Sequence, residues 1–167
     1  MLQDNELLIE DARLLFRNFA GKEQQYNSEG DRNFSVVFNK DQADKLLAEG
    51  WNVKALKARD DEEPDYHMTV KVNYGKGRPP QCIMITSRGR SDLGADEIEI
   101  FDWADIKNVD LIVRAYDWEV NGNKGRKAYL KKIYVTINED DLDRKYAGLT
   151  PADSESILDD EPEEVTV

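Results

Sequence analysis

The dominant pattern along this chain is alternation of apolar and polar positions. Within residues 33–38, Phe34, Val36 and Phe38 fall on one face, and Met68, Val70, Val72 and Tyr74 alternate with His67, Thr69, Lys71 and Asn73. Further on, Val109, Leu111 and Val113 point one way while Ile112, Arg114, Tyr116 and Trp118 point the other. Residues 126–137 then supply a partner strand with Ile133, Val135 and Ile137 inward. A period of two marks strands with one buried face. Residues 8–19 read as a long first strand that pairs with 33–38, and 51–57 and 81–87 read as further strands. Asn121-Gly122 is the signature of a tight hairpin turn, so the last two strands are expected to be antiparallel neighbours.

Helical signals are few. Asn39 and Gln42 have capping-box spacing, Ala43, Leu46 and Leu47 share a helical face, and Gly50 stops the helix, which packs on the sheet. Phe101 and Ile106 flank Asp102 at hydrophobic-staple spacing, so Asp102 is expected to cap a turn over 103–107. Residues 75–80 read as a basic hairpin turn joining two strands. Residues 21–32 form a polar loop with glycine near both ends that carries Lys22, Tyr26 and Arg32, and residues 121–127 form a final loop with Lys124, Arg126, Lys127 and no acid. The pattern predicts an all-β, β-rich fold with short helices, and there is no internal repeat.

Composition bounds the rest. The chain has 167 residues, 40% of them hydrophobic, which suits a single core. The apolar runs 83–85 and 111–113 are far short of the roughly 20 residues a membrane-spanning helix needs. The N-terminus has neither the basic start nor the apolar stretch of a secretory signal, so a cytoplasmic location is expected, that of the host cell if the chain is phage-encoded. One cysteine, Cys82, and one histidine, His67, cannot build a disulfide or a Cys/His zinc site, and both read as ordinary strand residues. The acidic run 60–65 reads as a solvated loop rather than a carboxylate metal site.

A net charge of −12 argues at first against a polyanionic partner. Its distribution reverses that. Seven acids (Asp153, Glu155, Asp159, Asp160, Glu161, Glu163, Glu164) and no base follow Thr150, four more lie in 139–149, and three lie in the first ten residues. Residues 11–138 then hold 21 acids against 21 bases. A neutral body can carry a basic groove on one face. The expected division is a domain over 1–148 and a disordered acidic tail over 149–167.

No GxSxG, HExxH or Walker A motif is present, and no Cys or His can pair as nucleophile and base, so no enzyme activity and no cofactor or metal are expected. What stands out is the interleaving of cations and aromatics on loops and outward faces: Arg17 and Phe19, Lys22 and Tyr26, Arg32, Lys71, Arg114 with Tyr116 and Trp118, Lys124, Arg126, Lys127 and Tyr129, Lys132 and Tyr134. Single-stranded nucleic acid calls for this mixture, because cations track the backbone while aromatic faces stack on bases. Aromatics at period two serve equally well as core, so which of them stack stays open.

The first strand ending Phe16-Arg17-Asn18-Phe19-Ala20-Gly21, the strand Asn33-Phe34-Ser35-Val36-Val37-Phe38, the last hairpin into Tyr129-Leu130-Lys131-Lys132-Ile133-Tyr134-Val135-Thr136-Ile137, and the acidic tail together resemble phage-type single-stranded DNA-binding proteins of OB fold. The resemblance implies an OB-like five-stranded barrel with added hairpins, gripping single-stranded DNA through its first and last hairpin loops. It also implies a role in phage DNA replication or recombination, with the tail recruiting partner proteins and competing with DNA. Such tails often end in an aromatic residue, whereas this one ends Val165-Thr166-Val167. A homodimer is compatible with the sequence. The alternatives are an acidic protein-interaction module or DNA mimic, negative over its whole surface, and a nuclease using metal-bound carboxylates.

Overall fold

The computed structural model describes residues 5–24, 28–57, 63–75 and 77–139; the expected tail with all seven of its acids, all but the first residue of 139–146, where the sequence allows at most a short helix, and half of the acidic run 60–65 lie outside them. Among the described residues nine strands form one sheet: β1 (Glu6–Ile9), β2 (Arg13–Asn18), β3 (Asn33–Phe38), β4 (Val53–Ala55), β5 (Tyr66–Lys71), β6 (Gln81–Thr86), β7 (Gly89–Leu93), β8 (Ile106–Val120) and β9 (Asn123–Ile137). Among the same described residues one α-helix, α1 (Lys40–Ala48), follows β3, and a 3-10 helix (Ile98–Asp102) precedes β8.

The expected long first strand is present but bent. Asp11 takes a left-handed φ of 51°, and its N–H donates to Asp110 Oδ1 while that of Ala12 donates to Val109 O, so β1 and β2 are two halves of one strand folded at residues 10–12. β1 pairs β8, and β2 pairs β3. The hydrogen-bonded path β1-β8-β9-β5-β3-β2 therefore begins and ends on the same bent strand. Counting that strand once leaves five, and the parallel contact of β5 with β9 completes the OB-like barrel. β4 adds to β5, and the β6–β7 hairpin adds to the free edge of β9.

The alternation read from the sequence is what fills the barrel. Phe34, Val36, Phe38, Met68, Val70, Val109, Leu111, Val113, Ile133 and Val135 are all buried. The 3-10 helix closes one end with Ile98 and Phe101. Asn39 and Gln42 form the expected capping box, and Asn121 (φ 51°) with Gly122 (φ 82°) makes the expected tight turn between β8 and β9.

Three local expectations are corrected. Residues 75–80 do not join a hairpin: β5 pairs β3, β4 and β9, whereas β6 pairs β7 and runs parallel to β9, so the segment is a crossover. Asp102 ends the 3-10 helix instead of capping a turn after it, and its carboxylate accepts the N–H groups of Phe19 and Ala20. Leu47 is exposed, because the sheet reaches only Ala43 and Leu46 of the helix.

Cys82 lies in the core with its Sγ 3.8 Å from the Tyr74 hydroxyl. Burial pushes the thiol up to about 11, outweighing the downward pulls of the Tyr74 hydroxyl and Arg32. An iodoacetamide time course at pH 8 should therefore show no modification of the native chain and rapid modification in urea. Rapid labelling without urea would mean that β6 opens readily.

Candidate functional site

The outer face of the β8–β9 hairpin collects the strongest cluster of candidate residues. Register places Arg114 opposite Tyr129, Tyr116 opposite Lys127, Ile112 opposite Lys132 and Asp110 opposite Tyr134. In a regular strand Lys127 and Tyr129 would face away from Lys132 and Tyr134. A register shift opposite Ile112 and Val113 inserts Lys131 and restores them all to one face. Lys131 is anchored there by an ion pair to the Glu6 carboxylate.

A groove of about 630 Å³ opens on this face, lined by Arg78, Arg114, Tyr116 and Tyr129 together with Asn73, Gly75, Gly77, Ala115 and Leu130. Among these described residues the charged side chains are both arginines. Tyr116 is 57% exposed and meets Tyr129 edge to face, with centroids 6.0 Å apart. Tyr129 lies beside Lys71 across the parallel β9–β5 contact, and Lys71 beside Asn33 of β3, so the face continues around the barrel. Lys71 ion-pairs with Asp31 at 3.8 Å across partly exposed side chains, a contact too weak to withhold its charge from a ligand.

Other sequence candidates turn out to be structural. Phe19 is fully buried, stacked on Phe34 at 4.8 Å and edge-on to Phe101 at 5.3 Å, and so is no base platform. Arg17 Nη1 donates to the carbonyls of Phe101 and Ala104, and Arg32 Nη1 to those of Phe19 and Ala95. These two arginines and Asp102 tie the end of the first strand to the segment before β8. Arg32 also stacks over Tyr74, 5.3 Å from its centroid.

The final loop is shorter than expected. Only Asn121 and Gly122 turn, and Lys124, Arg126 and Lys127 lie on β9. Lys124 and Arg126 point to the opposite face from Lys127, where Arg126 holds Asp117 at 2.7 Å and covers the Trp51 ring at 5.3 Å. Trp118 is half-buried over Gly125, where a Cβ would come within 2.5 Å of Trp118 Cζ2, and its pocket includes Glu49, Asp117 and Glu119. Three acids against Lys124 and an Arg126 already paired with Asp117 make that pocket a poorer phosphate site than the Arg78–Arg114 groove. Tyr134 sits among cations, Lys132 at 5.1 Å and Arg90 at 5.7 Å from its ring, and the Lys132 contact holds its phenol below the usual value. Lys22 is exposed at the neck of the 21–30 loop, with its backbone N–H and C=O bonded to the Asn18 side chain. Tyr26 lies outside the described residues.

Two features escaped the sequence reading. Arg78 belongs to a turn read only as a connection, although its Gly-Lys-Gly-Arg run was a usable signal. Phe16 shares the parity of Leu14 and Asn18, so alternation places it inward. A left-handed φ of 53° at a register shift in β2 turns it outward to 63% exposure, edge-on to His67 at 5.9 Å. His67 bonds Ser35 Oγ at 3.1 Å, and partial burial, then Lys54, lower its pKa.

No helix among the described residues is long and apolar enough to cross a membrane, and no group of three or more His, Cys, Asp or Glu among them is arranged to hold a metal ion. Over residues 1–166 the chain matches the family described as a phage ssDNA-binding domain. No curated protein matches it. In structure it is similar to the single-stranded DNA-binding protein from bacteriophage Enc34 in complex with ssDNA, with a TM-score of 0.56 at 11% identity over 83% of this chain and 89% of that one. It is also similar to a second structure of the single-stranded DNA-binding protein from bacteriophage Enc34, with a TM-score of 0.51 at 14% identity over 92% of this chain and 91% of that one. At such identities the likeness is one of fold.

Proposed function

The chain belongs to the phage ssDNA-binding domain family, and on that premise we propose that it binds single-stranded DNA without sequence preference, in the host cytoplasm, during phage DNA replication or recombination. The observation that carries this reading is the β8–β9 groove, where exposed Tyr116 and half-buried Tyr129 line one surface with Arg78 and Arg114 and no acid is among the described lining residues. Tyrosine faces stack on any base and arginines follow any phosphate, so affinity comes without sequence readout. The same groove counts against the DNA-mimic reading, which calls for a negative surface throughout.

Gel shifts of single-stranded DNA, duplex DNA and RNA at two salt concentrations test the proposal. Arg78, Arg114, Lys127 and Lys71 engaging three or four phosphates give a log–log salt slope of about −2 to −3 on a single strand. Equal or tighter binding to duplex would argue against the groove.

The acidic tail, residues 149–167, acts in this proposal as a tethered polyanion that competes with DNA for the groove and recruits replication or recombination proteins. Tethering gives it an effective concentration on the order of millimolar. Deleting residues 150–167 should tighten single-strand binding, most at low salt where competition is least screened. A truncated chain that binds no single-stranded DNA at low salt would sink the reading, and loss of a protein partner in its place would favour the mimic.

A further inference from the structure

A second groove, of about 610 Å³, lies at the start of β8, away from the Tyr116 surface. Arg13, Arg17, Lys107 and Trp103 line it, and Asp105 is the one acid among its described lining residues. Trp103 is 73% exposed, the most open of the large apolar side chains described, and directly follows the 3-10 helix. The core does not use it, since Ile98 and Phe101 already fill the barrel end.

The cations around it are available to an anion. Arg13 meets Asp65 at 3.8 Å with both side chains largely exposed, a pairing a phosphate can displace. Arg17 is held by the carbonyls of Phe101 and Ala104, which fix its position without cancelling its charge. Lys107 is exposed.

Among the described residues, β5 and β2 connect this groove to the first surface. Along β8 the small pocket lined by Lys132 and Tyr134 also holds Glu10 and Asp110, two acids that disfavour a phosphate there. Across β5 and β2 the way is open: Lys71 stands beside Tyr129, His67 lies four residues back on β5, Phe16 touches His67, and Arg13 lines the Trp103 groove. Aromatic and basic side chains are mixed along that route, the combination a single strand requires.

We infer that the Trp103 groove is a second contact for the same nucleic-acid strand, stacking a base on the indole and holding its phosphate at Arg13 and Lys107. The inference rests on the single-strand reading above. It makes the footprint longer than the Tyr116–Tyr129 groove alone, so its signature is a dependence on strand length.

The test compares the full chain with Trp103→Ala and Trp103→Phe on oligothymidylates of about 6 and about 30 nucleotides at low salt, lengths chosen to bracket one OB-fold site. Trp103→Ala is expected to weaken binding of the long oligomer by roughly 5- to 150-fold, leave the short one unchanged, and be rescued by Trp103→Phe. An unchanged long-oligomer affinity overturns the inference while leaving the β8–β9 groove intact. So does an equal loss at both lengths, which would put Trp103 in the principal site or in the fold. If the unaltered chain binds neither oligomer, the single-strand reading itself fails and this inference with it.

Discussion

Replacing Tyr116 and Tyr129 together by alanine is expected to weaken single-stranded DNA binding by roughly 30- to 1000-fold, the loss of two base stacks. Each stack contributes about 1–3 kcal/mol. The two rings touch edge to face, so the double effect should fall short of the sum of the single ones. Both stand on the outer face of the β8–β9 hairpin, and the barrel beneath them is filled by Val113, Ala128 and Leu130. Thermal stability should therefore change little. The salt slope should also persist, because Arg78, Arg114 and Lys127 remain, whereas Arg114→Ala should lower it by about one unit with a smaller loss of affinity. Fluorescence anisotropy with a labelled oligothymidylate measures all of these. A double variant within twofold of the unaltered chain would remove the groove from the binding site.

Phe19→Ala should act on the fold instead. Its ring is wholly enclosed between Phe34 and Phe101, and truncating such a residue costs about 3–5 kcal/mol of stability. Against the roughly 5–15 kcal/mol that holds a typical domain together, that is a large fraction. Urea titration should show a clear drop in midpoint with little change in slope, while Phe19→Leu, which keeps most of the volume, should cost far less. Both variants, where folded, should bind single strands as the parent does. Unchanged stability with lost binding would return Phe19 to the nucleic-acid surface.

The β8–β9 groove and the Phe19 site show what one-dimensional patterns carry. The helix cap at Asn39 and Gln42 and the turn at Asn121-Gly122 were legible because their determinants lie within four residues: a side chain reaching the N3 amide, and two consecutive residues that tolerate positive φ. The inward rows of β3, β8 and β9 were legible because pleating alone sets which side chains share a face. The β-rich class and the outward row of Arg114, Tyr116 and Trp118 come from those two facts.

What the tertiary structure decided depends on partners far away in the chain. Arg17, Arg32 and Phe19 look in sequence like a basic-aromatic grip. Each is held in part by a carbonyl or ring more than 60 residues away, which no local pattern announces. The extra residue at Lys131 and the left-handed Phe16 reverse parity, so strict alternation misplaces the residues beyond a bulge and hides an outward aromatic. The parallel β5–β9 contact, which sets Lys71 beside Tyr129, exists only because the bent first strand closes the barrel. The sequence by itself determined most of the strands, though not β7, the inward rows of β3, β5, β8 and β9, and the kind of side chains left outside. Closure and register decided which of those side chains form one surface, because they depend on the free energy of the whole barrel and not on any run of neighbouring residues.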